Sequence, residues 1–154
     1  MSTVKSFKTV VLLSIALFAI VSSTLGREIK YDAEASERLL QAAWSGNLAE
    51  VKTALSDGTD VNIKDEKGNT ALLLASCNGH IDVVKFLLDK GANVNIKNDG
   101  YGFTAIMLAS RGGHRDVVKL LLDTGAEVNM KNNDGFTALM RASREGHLDV
   151  STGM

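Results

Sequence analysis

Apolar residues in the middle of this chain recur at helical spacing in short paired stretches. One stretch predicts a helix from Thr70 to Asn78, which Gly79 can end in the left-handed conformation. The next predicts a helix from about Ile81 to Lys90, in which three apolar side chains share one face: Val84, Leu87 and Leu88. The following pair of stretches repeats this arrangement with Val118, Leu121 and Leu122. The chain is therefore expected to consist of repeated pairs of short helices.

The helical pairs recur with a period of 33 or 34 residues. Three Gly-His pairs mark the phase, and each lies nine residues after a Thr that is followed by Ala and then Leu or Ile. The pairs are Gly79-His80, Gly113-His114 and Gly146-His147, after Thr70, Thr104 and Thr137. A turn and two helices in about 33 residues resemble the ankyrin repeat. The resemblance extends from about Ala33 to Val150, and it implies an all-α ankyrin-repeat solenoid of about 3.5 helix-turn-helix units joined by β-turn fingers.

The repeats depart from the family pattern Thr-Pro-Leu-His in two places. Ala takes the Pro position at Ala71, Ala105 and Ala138, and an apolar side chain takes the His position at Leu73, Met107 and Met140. Ala lacks the preset φ of Pro, so these departures weaken the rigidity of the turn without threatening the fold. We divide the chain into a signal peptide (1–26), a lead-in (27–35), a divergent capping repeat (36–65), two full repeats (66–98 and 99–132) and a truncated repeat (133–154).

The fourth unit begins normally at Gly135 but changes character in its second helix. Ser151 stands where Val84 and Val118 stand in the preceding units, and the sequence given ends at Met154. One interpretation is a truncated gene or a fragment, and the other is a partner that completes the cap. In both cases we expect the incomplete repeat to offer a route to self-association.

The N-terminus has the layout of a secretory signal. Lys5 and Lys8 precede an apolar run from Val10 to Val21, and small residues follow from Ser22 to Gly26. Twelve residues make only about 18 Å of helix, which is short of the roughly 30 Å hydrocarbon core of a bilayer. We expect cleavage after Gly26, with cleavage after Ser23 as the alternative, and an uncleaved N-terminal anchor as the second interpretation. In each case the repeats are expected outside the cytoplasm, in a periplasm or the extracellular space.

Composition excludes some functions and leaves others. The chain of 154 residues contains 17 Lys and Arg against 18 Asp and Glu, and without residues 1–26 its net charge is about −3, because that segment holds two lysines and no acid. Nucleic acid is therefore not an expected partner, since binding it requires a basic stripe. A lone Cys77 cannot form an intramolecular disulfide, so the repeats must hold together by packing.

Three histidines invite a metal-site hypothesis, but their phase argues against it. They occupy the same place in successive units, and packed helices lie about 8 to 10 Å apart, whereas zinc ligands need distances near 2 Å. We therefore predict that His80, His114 and His147 make structural hydrogen bonds in the turns between helices. The sequence also lacks a Ser, His and acid constellation, a glycine-rich phosphate loop and a Cys pair, so neither catalysis nor a cofactor is expected.

The resemblance places binding on the concave face, which turn tips and the exposed side of the first helix form in ankyrin proteins. One set of equivalent positions lies two residues before the recurring turn glycine: Trp44, Cys77, Arg111 and Arg144. A second lies at the finger tips: Asn69, Phe103 and Phe136, with Tyr101 nearby. Aromatic and Arg side chains are the types that interface hot spots favour. The alternatives are that Phe103 and Phe136 pack between adjacent fingers and that Trp44 covers the cap. One extra residue near Tyr101 is expected to make that finger longer and more mobile.

We interpret the chain as an exported scaffold that binds another protein and is not an enzyme. Resemblance to signal-bearing family members suggests a first alternative, a periplasmic protective or regulatory partner of an oxidative-stress enzyme such as catalase. The second alternative is the N-terminal repeat module of a larger enzyme or toxin whose remainder is missing. The partner's identity does not follow from the sequence, because ankyrin specificity resides in side chains rather than in the fold.

Overall fold

The computed structural model describes residues 33–151, and those from Ala35 onward belong to one compact unit. The predicted signal peptide and its cleavage site lie outside these residues. The described part is helical with connecting turns, and none of it is in a β-strand. The helices are α1 (33–45), α2 (Leu48–Ser56), α3 (Ala71–Cys77), α4 (Ile81–Asp89), α5 (Ala105–Gly112), α6 (Arg115–Asp123), α7 (Ala138–Arg144) and α8 (Leu148–Ser151).

The observed helix ends agree with the predicted ones to within a residue. Thr70 precedes α3 as its N-cap, and its hydroxyl accepts a hydrogen bond from the backbone N–H of Leu73 at 3.4 Å. Gly79 follows α3 with φ of +74°, the left-handed conformation that glycine adopts without a steric penalty. Helix α4 ends at Asp89 rather than at the predicted Lys90, which is its C-cap. The repeated sequence signals therefore define the repeated helices.

Equivalent helices of successive units pack side by side. The inner helices, α1, α3, α5 and α7, come first in each unit, and the outer helices, α2, α4, α6 and α8, come second. The inner helices α3 and α5 contact each other, as do α5 and α7, and each of the three carries a pair of buried alanines: Ala71 and Ala75, Ala105 and Ala109, and Ala138 and Ala142. The outer helices also contact their neighbours, and they carry larger buried side chains such as Val84, Leu87, Val118 and Leu121.

The face that α7 turns away from α5 differs from the same face of its sister helices. Leu72 and Leu73 of α3, which packs against both α4 and α5, are each 1% exposed, whereas the equivalent Leu139 and Met140 of α7 are 45% and 50% exposed. A buried aliphatic side chain stabilises the fold by roughly 1.5 to 3 kcal/mol. The described part of the fourth unit therefore gains less from burial than the second and third units do.

The fingers are the segments between an outer helix and the next inner helix, and each is closed by the same pair of hydrogen bonds. At each tip, a residue with an Asp or Asn side chain exchanges backbone and side-chain hydrogen bonds with the residue just after the turn glycine. The backbone N–H to carbonyl distances are 2.9 to 3.0 Å, and the side-chain Oδ1 accepts from the backbone N–H at 2.8 Å in every case. The pairs are Asp65 with Asn69, Asn98 with Phe103, and Asn132 with Phe136.

The finger between α4 and α5 carries the additional residue and is bonded to both neighbours. The Asp99 N–H donates to the Lys67 carbonyl at 3.0 Å on one side. On the other side, the Asn133 backbone and side-chain N–H groups donate to the carbonyls of Tyr101 and Gly100, at 3.0 and 2.9 Å. These bonds oppose the mobility expected of a longer finger, which stays a prediction for hydrogen exchange to check.

Among residues 33–151, no helix combines the length and the apolar character that a bilayer crossing requires.

Candidate binding surface

The first candidate set occupies the last turn of the inner helices, where its members differ in exposure. Trp44 on α1 is 53% exposed, Arg111 and Arg144 are also exposed, and Cys77 on α3 is half-buried. More than half of the Trp44 side chain is therefore accessible to a partner. Of the four, Cys77 presents the least surface to a partner.

The three histidines form hydrogen bonds with the backbone carbonyls of three residues in this first candidate set. His80, His114 and His147 hydrogen-bond through Nε2 to the carbonyls of Trp44, Cys77 and Arg111, at 2.9, 3.0 and 3.1 Å. A carbonyl can only accept, so Nε2 carries the proton in each ring. The prediction of structural hydrogen bonds is confirmed. Each bond joins one unit to the unit before it and fixes the end of the inner helix that carries the exposed side chain.

The finger-tip set contains one exposed aromatic ring and one internally bonded amide. Tyr101 is 65% exposed, and its ring centroid lies 5.7 Å from that of Phe103. Asn69 is half-buried; its Nδ2 donates to Asp65 at 2.9 Å and its Oδ1 accepts from Asn98 at 3.1 Å. Tyr101 is therefore available to a partner, whereas the amide of Asn69 already stabilises its own finger and the next.

Phe103 does not present its ring to solvent. It is 8% exposed and belongs to the buried core, while the equivalent Phe136 one finger later is half-buried. The structure therefore favours a packing role for Phe103, in line with the alternative that this ring packs between adjacent fingers. Its contribution to a binding surface is indirect, because it supports groups that lie above it.

Arg141 is the group above Phe103, and sequence reasoning missed it. Its guanidinium lies 4.8 Å from the centroid of Phe103 and 4.8 Å from that of Phe136, so both rings contact the cation. A second guanidinium, of Arg144, lies 5.6 Å from the Phe136 ring. The signal was present in the sequence, because Arg141 stands four residues after Thr137, where the sister units have Leu74 and Leu108. A charged residue in a repeat position that is otherwise apolar indicates a role beyond core packing.

These side chains line a groove of about 490 Å³ between the fingers and the inner helices α5 and α7. We call it the arginine groove. Its lining consists of Tyr101, Phe103, Arg111, Arg141 and Arg144, with the carboxylates of Asp134 and Glu145. The groove brings together four of the eight residues expected to bind, namely Tyr101, Phe103, Arg111 and Arg144. The other four, Trp44, Asn69, Cys77 and Phe136, are not part of its lining.

The carboxylate of Asp65 lies outside the groove and serves the fold. Burial raises the pKa of Asp65, but hydrogen bonds from the side chain and backbone of Asn69 and from the backbone of Lys67 outweigh it, so the pKa lies below the ordinary value of 3.8. This carboxylate closes the first finger, as described above. Among the described residues, no group of three or more His, Cys, Asp or Glu side chains is placed to hold a metal ion.

The fold and the surface define a class of protein: a helical repeat solenoid whose exposed aromatic and arginine side chains line a groove along its inner helices. The family model described as ankyrin repeats (3 copies) matches residues 39–132 and 97–152, which is more than half of the chain. The chain therefore belongs to the ankyrin-repeat family. Ankyrin repeats generally mediate protein–protein interactions, and ankyrin-repeat domains are typically scaffolds without catalysis. A comparison with curated proteins found no match.

Proposed function

We propose that this chain is an exported scaffold that holds a partner protein against its inner helices and finger tips and catalyses no reaction itself. The carrying observation is the exposure of large side chains along this surface. Trp44 and Tyr101 leave more than half of their surface in solvent, and Arg111 and Arg144 are exposed beside Tyr101. Aromatic and Arg side chains dominate the binding energy of protein interfaces.

The chemistry of the groove supports binding rather than reaction. Its lining offers cations, carboxylates and aromatic rings but no Ser, Cys or His side chain to act as a nucleophile with its base. The three histidines donate to backbone carbonyls instead. A surface of this composition can recognise a complementary surface and hold it, which is what the proposal requires.

Photo-crosslinking tests where the partner binds. A benzophenone amino acid is introduced at Tyr101 in the groove and, as a matched control, at Lys119, which is exposed on the outer helix α6. Extracts are irradiated, and adducts are identified by mass spectrometry. We expect one abundant protein adduct from the Tyr101 site and none of it from the Lys119 site. The same adduct in equal yield from both sites, or from Lys119 alone, contradicts binding through the groove.

Export is the second part of the proposal, and it is supported by the basic start and short apolar run of residues 1–26. We propose that a signal peptidase removes this segment and that the repeats act in a periplasm or the extracellular space. Intact-mass measurement of the exported protein is expected to give the mass of a chain beginning at Arg27, or at Thr24 if cleavage follows Ser23. Recovery of a chain that begins at Met1 and is fixed in the membrane contradicts cleavage and supports the anchor.

A further inference from the structure

Arg141 is a nearly buried cation with too few partners. Its side chain is 11% exposed, and the two flanking phenylalanine rings have replaced most of its water. A guanidinium has five N–H donors. Among residues 33–151, its only ion-pair partner is Asp134, at 3.5 Å, and its buried Nε has no hydrogen-bond partner. Burying a charge with so few partners opposes folding, so the site is suited to an anion that adds negative charge beside the guanidinium.

Two more guanidiniums extend the positive charge along the groove. Arg111 and Arg144 are exposed and line the same groove, and within the described part of the chain neither forms an ion pair. The acidic lining residues are Asp134, whose side chain is 57% exposed, and Glu145. Three cations thus face two carboxylates, so the groove carries one uncompensated positive charge in a molecule whose net charge is −1.

We propose that the arginine groove binds an acidic side chain of a peptide segment in the partner protein, with the carboxylate on Arg141 and Arg144 and an adjacent aromatic or aliphatic residue against Tyr101. This inference rests on the proposed function and specifies the chemistry of the partner. The planar guanidinium fork matches the two oxygens of a carboxylate. A single uncompensated charge suits a monoanion better than a doubly charged phosphate. The 65% exposed ring of Tyr101 supplies the apolar wall beside the cations.

Fluorescence anisotropy with defined peptides tests this inference. The probes are fluorescein-labelled EEEWEEE, the neutral QQQWQQQ, and a version of the neutral peptide in which phosphoserine replaces one residue beside the tryptophan. The full chain is expected to bind the acidic peptide at least roughly tenfold more tightly than the neutral one, and the affinity should fall as salt is added, because exposed charge contacts are screened.

Variants of the chain connect the binding to the groove. Arg141→Leu inserts the residue found in the sister units, so the helix position stays filled, and Arg144→Glu reverses an exposed charge. Each should weaken binding of EEEWEEE roughly fivefold or more. Arg115→Glu makes the same charge change on the surface of α6, outside the groove, and should leave binding unchanged. Circular dichroism and urea unfolding establish that each variant is folded.

The outcomes separate this inference from the proposed function. Equal binding of the acidic and neutral peptides, or equal loss in Arg115→Glu and Arg144→Glu, overturns the carboxylate site. Tight binding of the phosphoserine peptide alone also overturns it and assigns the groove to phosphate. If Tyr101 still crosslinks a partner while EEEWEEE does not bind, the scaffold proposal stands and only the acidic specificity is wrong. If neither occurs, both proposals are wrong.

Discussion

Gly79→Ala tests the contact that joins one repeat to the next. Gly79 has φ of +74°, and a Cβ built there would lie 2.5 Å from Nδ1 of His114. Gly91 has φ of +86°, and a Cβ there would meet nothing within 4 Å, so Gly91→Ala is the matched control. Both substitutions carry the left-handed penalty of about 1 to 2 kcal/mol, partly offset by about 0.4 to 1 kcal/mol through the unfolded state.

Only Gly79→Ala must also displace the His114 ring. The displaced ring loses its 3.0 Å hydrogen bond to the carbonyl of Cys77. Losing such a bond while leaving the acceptor partly buried should lower the free energy of unfolding by about 1 to 2 kcal/mol beyond the control. We therefore expect total losses of about 1 kcal/mol for Gly91→Ala and about 2 to 3 kcal/mol for Gly79→Ala.

Urea unfolding followed by circular dichroism measures these differences, and an unchanged m-value shows that the cooperative unit is the same. The double variant Gly79→Ala with His114→Ala removes the clash, so the added loss from Gly79→Ala should largely vanish in the His114→Ala background. Two results would show that the histidine contact does not join the repeats as described. One is a Gly79→Ala variant no less stable than Gly91→Ala, and the other is a double variant whose loss in the free energy of unfolding equals the sum of the losses from Gly79→Ala and His114→Ala.

Three further predictions follow from individual side chains. The folded pKa of Asp65 is lowered, so its carboxylate stabilises the fold above pH 3.8, and this stabilisation is lost as the pH falls through the folded pKa. Asp65→Asn, which copies Asn98 and Asn132 of the other fingers, removes this titrating group. In urea titrations the variant should therefore lose less stability than wild type between about pH 5 and pH 3. Ser110 is fully buried and its Oγ has no hydrogen-bond partner, so Ser110→Ala should leave the melting temperature unchanged or raise it, and a clear fall would indicate a missed partner. Hydrogen exchange should show the strongest protection in α3 to α6 and the weakest in α7 and α8, whereas uniform protection would contradict the effect of the exposed Leu139 and Met140.

Much of the fold could be predicted because every unit repeats the same local signals. The Thr residues before the inner helices, the turn glycines and the three histidines recur in phase, and the structure confirms the helices they define and the histidine hydrogen bonds. The fate of Phe103 could not be predicted in the same way. It shares a repeat position with Phe136 and Asn69, yet its ring contacts Arg141 and Tyr101, and the other units have different residue types at those two positions.

The candidate surface was predicted in outline but not in composition. Arg111 and Arg144 occupy equivalent positions in the repeat, and a residue's position in a helix determines the face on which its side chain lies. The sequence therefore indicated that both side chains lie on the same surface. The shared repeat pattern did not indicate Arg141, because that pattern describes what the units have in common. Arg141 stands out only as a departure from it, where the sister units have leucine. The arrangement of its guanidinium between two rings from successive fingers depends on packing across units, which spacing along one chain does not reveal.

The affinity of the crosslinked partner for groove variants tests the proposed function most directly. Isothermal titration calorimetry compares the wild-type chain with Tyr101→Ala, Arg111→Ala and the outer-helix control Arg115→Ala. We expect each groove variant to weaken binding by about 1 to 2 kcal/mol or more, with an unchanged helical signal, and the control to bind as wild type does. Unchanged affinity in both groove variants, or an equal loss in Arg115→Ala, would show that the partner does not bind through the inner helices and finger tips.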